Sequence, residues 1–89
     1  MPILNSPYME AKLCLRAAGR KTDQWVILSK SSRDELGTVG WYGPWHQYVF
    51  EPFEGTVYNS GCLDAIENFL RAANVELRTG RIVAERAKP

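Results

Sequence analysis

Along residues 61–74 the hydrophobic positions recur at spacings of three and four. Cys62, Ile66, Phe69 and Ala73 fall on one stripe with Leu63 and Leu70 beside it, while Asp64, Glu67, Asn68 and Arg71 fall opposite. That period predicts an amphipathic helix whose apolar stripe covers one face of a sheet. Asn59 or Ser60 can accept from its opening amides. Glu67 precedes Arg71 by one turn, a surface pairing worth a few tenths of a kcal/mol.

Upstream the pattern shortens and turns β-like. Residues 25–29, Trp-Val-Ile-Leu-Ser, have the aromatic and β-branched composition of a strand. A charged turn over 30–35 leads into residues 36–42, which resume strand composition and complete a hairpin. Gly37 and Gly40 inside that second strand mark a bulge or a place where a large ring lies across the backbone. Gly43-Pro44 then forces a turn, because proline fixes φ and cannot donate to a ladder. A third strand is expected over 45–50, ended by Glu51-Pro52, and a short edge strand over 56–58.

The two ends read less regularly. Residues 6–19 open with Ser6 before Pro7 and close on Gly19, the punctuation of a short helix with Tyr8, Ala11, Leu15 and Ala18 on one side. The same stretch alternates Ala11, Leu13 and Leu15 with Glu10, Lys12 and Cys14, as a strand would. Residues 75–78 and 81–84 flank Thr79-Gly80, the pattern of a terminal hairpin or a loose tail. The expected fold class is therefore α+β. An antiparallel sheet of three to four strands over 25–58 packs on one helix over 60–74, with an additional N-terminal helix. The chain reads as a single domain, with an arm or helix over 1–22, a sheet-and-helix core over 23–74 and an end segment over 75–89.

Composition narrows the function classes. Eighty-nine residues allow one core, and 45% hydrophobic with 24% charged residues is the profile of a chain that folds. Eleven basic residues against ten acidic ones give a net charge of +1, so no global field draws the protein to nucleic acid or anionic lipid. No apolar run approaches the length of a membrane span, and the first residues lack the basic and apolar regions of a secretory signal. A cytoplasmic protein is expected, with Cys14 and Cys62 reduced and buried rather than bridged.

The segment from Leu36 to Pro52 contains Trp41-Tyr42-Gly43-Pro44-Trp45-His46-Gln47-Tyr48 and is followed by the helix opening Cys62-Leu63-Asp64-Ala65-Ile66. With the tryptophan strand before it, this pattern resembles a family of small bacterial and phage-borne proteins of unassigned function, over residues 21–70. The resemblance implies a small α+β fold carried in mobile or prophage DNA.

Candidate chemistry centres on the same rings. Successive strand residues face opposite sides of a sheet, so Trp41, Tyr42, Trp45, His46, Tyr48 and Phe50 cannot all enter one core. Rings left outside mark a contact surface for a partner protein or a second copy, with Trp41, Tyr42, Trp45, His46 and Tyr48 as its residues. A host protein, such as a component of a defence or regulatory complex, is the expected partner of a phage-borne chain. The alternative is a nucleic-acid or nucleotide binder that stacks bases on these rings, with Arg20, Lys21, Lys30 and Arg33 supplying charge. Asp23, Asp34 and Glu35 interleave with those cations. His46, Cys62 and Asp64 are the only trio suited to nucleophilic chemistry, and the core stripe accounts for Cys62 better. One histidine and two distant cysteines do not make a zinc site. The expectation is a non-enzymatic binding protein without a cofactor.

Overall fold

The computed structural model describes residues 2–16, 19 and 21–87, with side chains of the helix as far as Leu77. Strands β1 (Met9–Leu13), β2 (Trp25–Ser29), β3 (Glu35–Tyr42) and β4 (Gln47–Pro52) form one antiparallel sheet in the order β1-β2-β3-β4. A single-turn 3-10 helix, Gly43–Trp45, joins β3 to β4, and helix α1 spans Ser60–Ala87. The arrangement is α+β, with the helix packed across one sheet face.

Residue parity sets that face. Trp25 pairs with Val39 across β2 and β3, Val39 with Phe50 and Trp41 with Tyr48 across β3 and β4, so these side chains share one side. Against them α1 places Ala65, Ile66, Phe69 and Ala73, all buried. Phe69 meets Trp25 edge-on at 5.2 Å between ring centres, and Trp25 meets Tyr48 at 5.4 Å in the same T-shaped manner. The helix begins where Asn59 Oδ1 accepts from the Cys62 amide at 2.8 Å, and Arg71 pairs with Glu67 one turn away. Both contacts follow the sequence expectation.

Gly37 meets its expected role. It lies beside the register shift of β2 and β3, with the Phe50 ring across it. A Cβ at this position would sit 2.5 Å from the Glu51 carbonyl oxygen and 2.8 Å from the ring. Gly40 is not crowded in this way, its nearest neighbour being Gln24 Cγ at 3.8 Å.

Four expectations are corrected. The N-terminal helix is a strand, β1, because its backbone groups find partners along β2 and its odd residues join the core side. Ser6 Oγ does accept from the amides of Tyr8 and Met9, as a helix cap would, but the chain behind that turn extends. The third strand starts at Gln47 rather than Trp45, since Pro44 stands in the first turn of the 3-10 helix and His46 takes a left-handed φ of 51°. No strand forms over 56–58. Tyr58 instead donates its hydroxyl to the Leu36 carbonyl at 2.8 Å and lays its ring on Phe50. The terminal hairpin is absent, because α1 continues to Ala87. Thr79-Gly80 costs the helix about 1 kcal/mol relative to alanine but does not end it.

Candidate functional site

The turn from β3 to β4 decides which rings reach the surface. Tyr42, the last residue of β3, has the parity opposite to Trp41 and so points away from α1. Trp45 belongs to the 3-10 turn and to no ladder, and is 65% exposed. The two rings meet edge-on with centres 4.9 Å apart, leaving Tyr42 38% exposed. His46 closes the turn by donating its amide to the Gly43 carbonyl, and its ring stands 6.4 Å from that of Trp41.

Beneath this turn, between β4 and α1, runs an open groove of about 860 Å³. Trp41, Trp45, His46 and Tyr48 line its sheet side, and Leu63, Leu70 and Leu77 line its helix side. The rim is polar: Glu67, Arg71, Asn74 and Gln47. Leu63, read from the sequence as part of the apolar stripe, is instead exposed at the groove. A concave apolar floor with a small set of polar groups around it is the shape of a recognition site.

Asn74 fixes the geometry of this site. Its Oδ1 accepts from the Tyr48 amide at 2.7 Å, tying α1 to strand β4. Sequence reasoning missed it, because the bond joins residues 26 positions apart and a lone asparagine on a helix carries no local signal of it.

Of the five residues expected at the contact surface, Tyr42 and Trp45 are exposed, His46 is exposed at the turn, and Trp41 is half-buried along the groove. Tyr48 lies in the core. Its ring packs between Trp25 and Trp41, and its hydroxyl accepts from the Asp23 amide at 3.1 Å. It shapes the groove from below and is not a surface anchor.

The basic residues are not brought together. Lys21 lies in the β1–β2 connection, whereas Lys30 and Arg33 lie in the β2–β3 turn at the other end of β2, and Arg20 lies outside the described residues. Lys30 Nζ donates to the Ser6 carbonyl at 2.7 Å, and Arg33 pairs with Glu10. His46 lines the groove, while Cys62 and Asp64 do not, and both cysteines are half-buried free thiols rather than fully buried ones. Among the described residues no cluster of histidine, cysteine and acidic side chains could hold a metal ion, and no helix is long and apolar enough to cross a membrane.

The chain is 33% identical over 52 residues to an uncharacterised 9.3 kDa protein of Acholeplasma phage L2, a match spanning 58% of this chain and 67% of the phage protein. No family model matches the chain, and no solved structure matches it.

Proposed function

This chain belongs to the family of the 9.3 kDa protein of Acholeplasma phage L2, and from that premise we propose that it is a phage-borne, non-enzymatic protein that acts in the host cytoplasm by binding a host protein. The contact surface is the Tyr42–Trp45 ring pair with the groove beneath it. An apolar segment of the partner would enter between Trp41 and Leu70, and the Glu67–Arg71 pair and Gln47 would meet its polar groups.

The observation that carries this reading is the exposure of Trp45. A tryptophan left 65% open, braced by Tyr42 and bordering an apolar groove, offers a large rigid contact area that loses little conformational entropy on binding. A ring needed only for folding would face the helix, as Trp25 does. Of the basic residues that a nucleotide-stacking reading would need, Lys30 and Arg33 are engaged within the chain and lie at the other end of β2 from Lys21.

The test is site-directed photo-crosslinking in host cells. A photoreactive side chain at position 45 is expected to give one discrete cross-linked protein, and the same group at exposed Val57, outside the groove, is expected to give none. With that partner purified, Trp45→Ala should weaken binding by about 2 kcal/mol, roughly thirtyfold, as for a central interface residue. Identical products from positions 45 and 57, or unchanged affinity of Trp45→Ala, would refute the reading.

A further inference from the structure

The two edges of the sheet are finished differently. On β4 the Tyr48 amide, which points away from β3, is held by Asn74, and Pro52 has no amide to offer. On β1 the bonds from the Lys30 amide to the Tyr8 carbonyl and from the Cys14 amide to the Gln24 carbonyl show that even-numbered residues face β2. Odd-numbered ones therefore aim their amides and carbonyls outward. Ser6 Oγ holds the Met9 amide, and among the described residues the amides of Ala11 and Leu13 and the carbonyls of Met9, Ala11 and Leu13 have no backbone partner on this edge. Apolar side chains beside this edge stay exposed, Leu13 by 41%, Leu15 by 98% and Ile3 by 79%, while Leu4 packs on the core and lines a small pocket with Ala11 and Leu13.

We infer that β1 is a self-pairing edge, at which two copies of the chain join antiparallel about a twofold axis centred on Ala11. The sequence of β1, Met-Glu-Ala-Lys-Leu, is complementary to itself in this register alone. Ala11 exchanges backbone hydrogen bonds with the partner's Ala11, and the Leu13 amide donates to the partner's Met9 carbonyl. On the outer face Lys12 stands opposite the partner's Glu10, and the second contact of the same kind follows by symmetry. Lys12 is exposed, and among the described residues it has no carboxylate partner within its own chain. Glu10 uses one oxygen on Arg33, and its other oxygen is left to accept from the partner's Lys12.

Parity makes the register consistent with the fold. Met9, Ala11 and Leu13 lie on the helix side, so both copies keep α1 on the same side of one continuous sheet. A register shifted by one residue in the pairing sum would set core-side residues opposite outer-side ones, which an antiparallel pair does not permit. A shift by two would leave Lys12 or Glu10 facing its own symmetry copy, a like-charge contact.

The experiment is light scattering of the full chain up to about 0.3 mM, a range that detects micromolar pairing. A dimer is expected. Ala11→Pro removes a central outward amide at a position where an edge strand tolerates proline, so a folded monomer is expected, with its helical circular dichroism retained. A second pair of variants serves if that one unfolds. Lys12→Glu and Glu10→Lys should each pair at least about tenfold more weakly alone and recover the dimer when mixed, since the mixed register again opposes unlike charges. A monomer at every concentration, a dimer unaffected by Ala11→Pro, or charge variants that pair equally well alone and mixed would overturn the inference. It stands independently of the groove, because the rings of Tyr42 and Trp45 lie at the other edge and remain open in the dimer.

Discussion

The rings of Trp25, Tyr48 and Phe69 and those of Tyr42 and Trp45 are chemically alike and occupy one small domain, yet the first set is sealed between the sheet and α1 and the second faces water. Ring chemistry does not explain the difference. Trp25 and Tyr48 occupy ladder positions whose parity points them at the helix. Tyr42 has the opposite parity, and Trp45 sits on a turn that has left the ladder. A proline and a left-handed histidine thus convert what would have been a strand residue into a surface one. Aromatic content in a small chain therefore divides into a share that holds the fold and a share free for contact, and backbone position makes the division.

Substitutions should break the two sets in opposite ways. Phe69→Ala, at the centre of the buried set, should lower unfolding free energy by about 3–5 kcal/mol in chemical denaturation, enough to unfold a domain of this size. Gly37→Ala forces a methyl group against the Glu51 carbonyl and the Phe50 ring, so a loss of about 1–3 kcal/mol is expected in the same measurement. Asn74→Ala should cost about 1 kcal/mol, since it leaves the half-shielded Tyr48 amide without its acceptor. Asn59→Ala removes the helix cap at a similar cost of about 1 kcal/mol. The smallest effect belongs to the open set: Trp45→Ala should shift stability by less than about 1 kcal/mol while weakening partner binding roughly thirtyfold. If Trp45→Ala proved as damaging to folding as Phe69→Ala, the division between the sets would fail.

The sequence disclosed those parts of the fold whose signals are local. The stripe of Cys62, Ile66, Phe69 and Ala73 gave the helix and its buried side, and the β-branched run after Trp25 gave the central strand. At Ser6 the local signal misled. Its hydroxyl satisfies the next amides in a helix start and in this turn alike, and only pairing with β2, residues away, makes the segment a strand. Tyr58 misled for a related reason, since its aromatic and β-branched company suits a strand while its hydroxyl is held by Leu36, 22 residues back. For the candidate site, strand alternation alone foretold that Trp41 and Tyr42 part ways. It could not foretell that Tyr48 is core, which depends on Trp25 and Asp23, or that Asn74 joins the groove from the helix.

Incorporation of 5-fluorotryptophan gives one fluorine signal each for Trp25, Trp41 and Trp45, and a soluble paramagnetic reagent broadens each according to its exposure. Strong broadening is expected at Trp45, an intermediate effect at Trp41 and almost none at Trp25. A Trp45 signal as protected as that of Trp25 in the free chain would contradict it, because the ring offered to a partner would then already be covered.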